Sequence, residues 1–446
     1  MGVSNKSPPS RPGYREAPGV MSLCELVDCA HGVVESSRSH VPRSVAPAVE
    51  GSGRGQPAPD HSASAAPPNW AAGRAMVLLN DFARQWSDVR RDVAAALEKV
   101  GTSGTYILGP SVTEFERQLS SRLGVREAVG VGNGLDALEI ALRAVGCKPG
   151  DRVLTTPMSA FATTLAIMRV GAVPCFVDVD ETGLLDLDLV EEALTRTPSI
   201  PFVLPVHLYG RSLDLRRLGS VAARLGVCVI EDCAQAIGAT HAGLLAGTVG
   251  AAAALSFYPT KNLGCLGDGG ALLTNSSEIA RRARSLRNYG QGSRYVHDCL
   301  GLNSRLDELQ AAIMLSALLP RLDAWTERRR QIARTYCRCI ENPAFAIPPV
   351  EPPGPVWHLF PVLVRNGSRS AFQAHMQACG ISTGIHYPTV ITRQEALRTY
   401  GLFEVLGPLT RAESLAAQEV SLPIHPYLTD SEVDEVVSAS NSWRPA

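Results

Sequence analysis

Ser256-Phe257-Tyr258-Pro259-Thr260-Lys261-Asn262-Leu263-Gly264, followed by Gly267-Asp268-Gly269-Gly270, joins a buried strand to a glycine-dense turn that carries one lysine. The small apolar run Ala251-Ala252-Ala253-Ala254-Leu255 in front of it has the makeup of that strand. Lysine is among the residue types least often buried. A lysine just past a buried strand is therefore either a plain surface residue beside the turn or a group with a chemical task. The chemical reading is specific: an amine partly desolvated in a pocket has a lowered pKa and can attack a carbonyl carbon to form a Schiff base.

Outward from this turn, the chain alternates helices and strands. Strands are expected over 128–131, 152–156, 173–177, 201–206, 227–230, 252–257 and 270–274, and helices over 88–100, 135–145, 161–170, 187–195 and 215–225. Ser111-Val112-Thr113-Glu114 reads as a capping box that opens a helix ending at Gly124. Short, continuously apolar strands alternating with helices predict an α/β fold with a mostly parallel sheet covered on both faces. In such sheets ligands bind beyond the carboxyl ends of the strands. After about residue 305 the pattern changes. A helical stretch over 306–340 is interrupted by Pro320, which should kink or split it. A Pro-rich connection (Pro348, Pro349, Pro352, Pro353, Pro355) then leads to a strand near 357–364 and a helix near 371–379. These boundaries give a large domain over 76–320 and a smaller α+β domain over 321–446. Residues 1–75 are rich in Pro, Ser, Gly and Ala and cannot bury enough apolar surface to fold. They are expected to be disordered, or mis-assigned, with Met76 a natural start.

Composition excludes several classes. With 446 residues, 45% of them hydrophobic and 19% charged, there is ample material for a large core. A net charge of −1 gives no bulk field toward nucleic acid or an anionic membrane. No apolar run is long enough to span a bilayer, and the start lacks a signal-peptide pattern. The 11 cysteines are scattered without a CxxC pair, which fits reduced thiols in a cytoplasmic protein. Cys337 and Cys339 stand two apart on an expected helix and point to different faces. No metal site is expected.

Other chemistry-bearing residues fall at strand ends. Gly132-Asn133-Gly134-Leu135-Asp136-Ala137 lies between a strand and a helix, where free amides and close backbone approach suit a phosphate. It also fits a dinucleotide fingerprint, but the next strand ends in Thr155-Thr156-Pro157 without the required acid. A plain tight turn is the remaining alternative. Val227-Cys228-Val229-Ile230-Glu231-Asp232 ends a buried strand in an acid pair. Asp232 is an ion-paired or capping residue, or a partner for a pyridine nitrogen. In the second case it keeps that nitrogen protonated and makes a pyridoxal phosphate ring an electron sink. Gln235 can then reach the ring's phenolic oxygen, Ser256 the phosphate, and Phe161 can stack on the ring or belong to the core. His207, in Pro205-Val206-His207-Leu208-Tyr209-Gly210, is more often structural than catalytic at such a place.

The order phosphate glycines, aromatic, Asp, Ser, Lys closely resembles the DegT/StrS-type nucleotide-sugar aminotransferases, which have the fold-type I pyridoxal phosphate architecture. The resemblance covers about residues 78–437. It includes Gly301-Leu302-Asn303-Ser304-Arg305-Leu306-Asp307-Glu308, Gly384-Ile385-His386-Tyr387-Pro388 and Ser421-Leu422-Pro423-Ile424-His425-Pro426. It implies pyridoxal 5′-phosphate as cofactor, Lys261 as its Schiff-base lysine and Asp232 at the pyridine nitrogen. It also implies Gln235 near the phenolic oxygen, Phe161 stacking, and Ser256 with the Gly134 turn and the Leu135 and Asp136 amides on the phosphate. Asn303 is expected to reach the phosphate in the neighbouring subunit, which implies a homodimer with shared sites. His386 and Tyr387 look like substrate-side residues. Leu135 departs from the family, where Thr is common, and loses a hydroxyl there. The expected reaction moves an amino group from an amino acid, glutamate, to a nucleotide-linked keto-deoxysugar, 3-keto before 4-keto. The alternatives are a keto-cyclitol as acceptor, or a regulatory member without catalysis.

Overall fold

The computed structural model of the protein describes residues 76–349, 354–365 and 368–445. The segment 1–75 and residues 350–353 of the Pro-rich connection lie outside the described residues. The main sheet takes strands β1 (Glu127–Val131), β2 (Arg152–Thr155), β3 (Val173–Phe176), β4 (Phe202–Leu204), β5 (Cys228–Asp232), β6 (Ala252–Ser256) and β7 (Gly270–Thr274). Later strands are β8 (Phe345–Ala346), β9 (Phe360–Val364), β10 (Glu404–Val405) and β11 (Glu419–Leu422). The eight-stranded order is β1-β7-β6-β5-β4-β2-β3-β10. Strand β7 runs antiparallel to both neighbours, and the remaining pairs are parallel. The expected α/β fold with a mostly parallel sheet is the one observed. Strands β8, β9 and β11 form a separate antiparallel sheet, the α+β part expected late in the chain. Strand β10 instead extends the main sheet beside β3.

The alanine run explains itself in the packing. Successive strand residues point to opposite faces. Ala252 and Ala254 face a core shared with Ala137 and Ile140 of helix Gly134–Ala144. Ala253 and Leu255 face the opposite core, with Val89 and Val93 of helix Phe82–Ser103 and Phe115 and Leu119 of helix Pro110–Arg122. Small side chains let both helix layers approach the strand closely. Phe257 follows at once, wholly buried, and its ring meets that of Phe115 edge-on at 5.5 Å. Such a contact contributes about 0.5–1.5 kcal/mol beyond its area. It pins the start of the lysine turn.

Two expectations about helices resolve differently. Pro320 does break the helical stretch: helix Glu308–Ile313 passes through a π-turn and a 3-10 turn at Leu319–Arg321 before helix Leu322–Cys339. The capping box at Ser111 does not form. Helix Pro110–Arg122 starts after Gly109 without a side-chain cap of its own. Instead the buried Glu308 carboxylate accepts from the amides of Gly109 (3.0 Å), Ser111 and Val112 (3.1 Å). A charged acceptor satisfying three orphan donors outcompetes a serine hydroxyl. Glu114 turns outward to Arg117 and Gln118.

Candidate active site

The parallel strands deliver their carboxyl ends to one edge of the sheet. Asp232 ends β5, Ser256 ends β6, and β1 leads into Gly132 and the helix at Gly134. Because β7 runs the other way, its first residue, Gly270, pairs with both Val131 and Ser256 at this edge. The crowding there dictates glycine. A Cβ on Gly134 would lie 2.7 Å from Ser256 Cβ, and one on Gly270 would lie 2.5 Å from the Asn133 carbonyl carbon. Gly134 and Ser256 therefore sit side by side.

The first helical amides divide. Asn133 caps the helix, its Oδ1 accepting from the Asp136 amide at 2.8 Å. The Asp136 carboxylate is held by Asn133 Nδ2 at 3.1 Å and Arg169 at 3.3 Å. The Asp136 amide is thus engaged within the turn, because Asn is a strong N-cap acceptor. The Gly134 and Leu135 amides have no partner among the described residues and are the open donors of the cradle. The Leu135 side chain packs on the core beneath.

Lys261 stands on the turn after β6, its amide bonded to the Tyr258 carbonyl at 2.8 Å. Asn262 ties the turn to the later part of the chain. Its Nδ2 donates to the Val356 carbonyl (2.8 Å), and its Oδ1 lies 3.3 Å from His358 Nδ1. Burial pushes the Lys261 amine down to about 8, while the Asp232 carboxylate pulls it back up. Asp232 is itself buried, and burial raises its pKa. Four groups resist that rise: the Ala234 amide at 3.0 Å, the Thr163 hydroxyl at 2.8 Å, and the charges of Lys261 and His207. The Thr163 hydroxyl in turn accepts from Ser159 at 2.8 Å, since it donates to Asp232.

Gln235 is buried between two tyrosines. Its Oε1 accepts from the Tyr209 amide (2.7 Å) and its Nε2 donates to the Tyr387 hydroxyl (3.1 Å). The Tyr209 hydroxyl donates to the His386 carbonyl, which joins Gln235, Tyr387 and His386 into one wall. Phe161 opens helix Phe161–Arg169 half-buried, against the Phe176 and Ile391 cluster. Asn303 is exposed and sits next to Ser304, whose hydroxyl accepts from the Gly132 amide at 3.0 Å.

His207 proves structural. It is wholly buried and pairs through Nε2 with Glu231 at 2.9 Å, while its Nδ1 accepts from the Leu213 amide. Glu231 also accepts from the amides of Gly247, Val249 and Gly250. The His207 hydrogen bond and charge, followed by the Gly250 and Gly247 amides, hold its carboxyl below the usual range against the effect of burial. With Cys233 these two form a His/Glu/Cys trio, but the carboxylate is already saturated and orders the 247–250 loop. Residues the sequence did not single out for the site are Ser159, Thr163, Asn262, His358, Glu419 and Ser421. Thr163 stood two positions after Phe161 at a strand-to-helix junction, and Asn262 and Ser421 lay inside stretches singled out for other residues.

The donor set fits pyridoxal phosphate. Open helix-terminal amides and Ser256 suit a phosphate, and Lys261 suits its aldehyde. A buried, hydrogen-bonded Asp232 carboxylate, without a cation in ion-pair contact among the described residues, favours a protonated ring nitrogen. Fold and site together define a fold-type I pyridoxal-phosphate transaminase.

Residues 87–440 match the DegT/DnrJ/EryC1/StrS aminotransferase family, and the chain belongs to that family. It is 42% identical over 366 residues to the dTDP-3-amino-3,4,6-trideoxy-alpha-D-glucose transaminase of Streptomyces venezuelae, covering 81% of this chain and 95% of that one. It is 41% identical over 365 residues to the pleiotropic regulatory protein of Geobacillus stearothermophilus, covering 81% and 96%. Among solved structures, DesV of S. venezuelae, in complex with a ketimine intermediate, matches with a TM-score of 0.78 at 40% identity, over 83% of this chain and 99% of that one. The Bacillus subtilis ntda structure, with PMP bound, matches with a TM-score of 0.73 at 31% identity, over 78% and 80%. The chain is an aminotransferase with a pyridoxal phosphate cofactor.

Proposed function

We propose that the chain transfers the amino group of an amino acid, glutamate, to a nucleotide-linked 3-keto-deoxysugar. The 42% identity to the S. venezuelae transaminase, whose product carries its amine at C3, carries the choice of ketone. Bound in the cradle, pyridoxal phosphate supplies the carbonyl that takes up the donor's nitrogen and the ring that spreads the charge left at the donor's Cα. Lys261 Nζ does the proton work. With its pKa near 8 the free amine exchanges between base and acid close to neutral pH, so it can take the proton from the donor's Cα and return it to the former aldehyde carbon on the other side of the shared nitrogen. Asp232, steadied by Thr163, would keep the ring nitrogen protonated. Gln235, tied to Tyr387, would reach the ring's phenolic oxygen, Phe161 would stack on the ring, and Ser256 with the Gly134 and Leu135 amides would hold the phosphate. His386 and Tyr387 meet the sugar.

We assign the working form as a homodimer in which Asn303 completes the partner's phosphate site. Asn303 is exposed in the single chain. Large apolar side chains also stand exposed at Tyr106, Ile107, Leu266, Tyr295, Val296 and Leu300, surface that a second copy could cover. A purely regulatory role, which the name of the Geobacillus relative raises, is disfavoured by Lys261, Asp232 and the open cradle all being present. The deciding assay offers a dTDP-linked 3-keto sugar, its 4-keto isomer and a keto-inositol, each with glutamate or glutamine. Turnover of the 3-keto sugar supports the proposal, and turnover of the keto-inositol alone overturns it.

A further inference from the structure

Behind His386 lies a buried carboxylate that the transamination scheme does not use. Glu419 and Ser421 are alternate residues of β11, so they share a face, and both are wholly buried. The Glu419 carboxylate accepts from the His386 amide through one oxygen and from the Ser421 hydroxyl through the other, each at 2.5 Å. Ser421 Oγ in turn lies 2.9 Å from His386 Nδ1. No cation forms an ion pair with Glu419 among the described residues. His386 Nε2 has no partner in the chain among the described residues, and Lys261 lies near enough to act on the ring electrostatically.

The serine hydroxyl has one proton to give, and this couples the three residues. With Glu419 ionised, Ser421 donates to it, Ser421 Oγ accepts from His386 Nδ1–H, and Nε2 presents a lone pair. With Glu419 protonated, its O–H donates to Ser421, the hydroxyl donates to His386 Nδ1, and the ring proton resides on Nε2. The change takes one proton from solvent at Glu419 and moves the ring proton between nitrogens by exchange with water. We propose that Glu419, acting through Ser421, sets which nitrogen of His386 carries the proton, so that His386 offers the substrate an acceptor when Glu419 is ionised and a donor when it is protonated. Glu419 and Ser421 are positioning residues. The inference rests on the reading that His386 meets the sugar.

The surroundings allow the two states near neutral pH. Burial raises the Glu419 carboxyl to about 7, against the bonds from Ser421 and the His386 amide and the more distant Arg369. The hydroxyls of Tyr209 and Tyr387, also nearby, stay neutral because burial raises both. Burial and Lys261 push His386 down to about 4, and the neighbouring His358 is pushed down as well, so both rings are neutral while Glu419 titrates.

The test is the tautomer of His386 in the full-length holoenzyme labelled with 15N-histidine, read by long-range proton–nitrogen correlation with His386→Gln to assign the signal. In the wild type, the proton should move from Nδ1 to Nε2 as pH falls through about 7. Glu419→Gln, whose amide donates to Ser421, should hold the Nε2–H form on both sides of that pH. Ser421→Ala, a smaller change kept in case the first variant does not fold, should abolish the pH response. A wild-type pattern in either variant overturns the proposal. The tautomer is read without turnover. If it follows Glu419 in a protein that aminates none of the ketones offered, the functional reading fails and this one stands.

Discussion

Lys261 and Asp232 each make the other workable, and substitution separates their effects. Burial depresses the lysine, and Asp232 is the group that pulls it back toward its usual range. Asp232→Asn should therefore lower the amine's pKa below about 8, read from the pH dependence of Schiff-base absorbance with added pyridoxal phosphate. A rise contradicts the pairing. Lys261→Ala should abolish that absorbance and cost on the order of 10²–10⁴ in turnover or more, the usual scale of a lost general acid/base. Glu419 makes a prediction on stability. Its folded pKa is raised, so its favourable contribution is present at pH below the unfolded value and is lost as pH rises through about 7. The stability of Glu419→Gln relative to wild type should increase across that window in denaturant titrations, and a constant difference counts against a buried, titrating carboxyl.

At the level of elements, the N-terminus of helix Pro110–Arg122 depends on one distant side chain. Glu308 satisfies three of its amides from 199 positions beyond Gly109. Glu308→Ala should destabilise the protein by roughly 2–3 kcal/mol, because buried donors lose a charged acceptor; a urea midpoint unchanged from wild type contradicts this. The same element shows what a sequence can carry. Its apolar period and its stop near Gly124 were legible, because both are local. Its cap was not, because Ser111 looked sufficient and Glu308 is remote. The strands around Lys261 were legible for a similar reason: alternate alanines meeting two cores leave a continuous apolar run. Lys261, Asp232 and Ser256 could be found as chemical side chains at strand ends. Thr163, Asn262, Glu419 and Ser421 could not, since a threonine or a glutamate acquires its task only from neighbours that folding brings. The tie between the Asp136 amide and Asn133 was not legible either, because Asn133 reads equally well as part of the phosphate turn.

On the scale of the whole molecule, the account requires two chains to finish one site. Lys261→Ala and Asn303→Ala are each expected to be poorly active alone. Mixed and re-equilibrated, they should regain activity toward a quarter of the wild-type value, because half the chains pair as heterodimers with one intact site each. No recovery, with exchange verified by tagged subunits, contradicts the shared site. Everything converges on a single amine. The most direct measurement is to load the purified protein with pyridoxal phosphate, reduce it with borohydride, and map the attached phosphopyridoxyl group by peptide mass spectrometry. The account predicts one modified peptide, carrying the group on Lys261, and loss of the label when a saturating amino donor is added before reduction. A label on another lysine, or none, would contradict it.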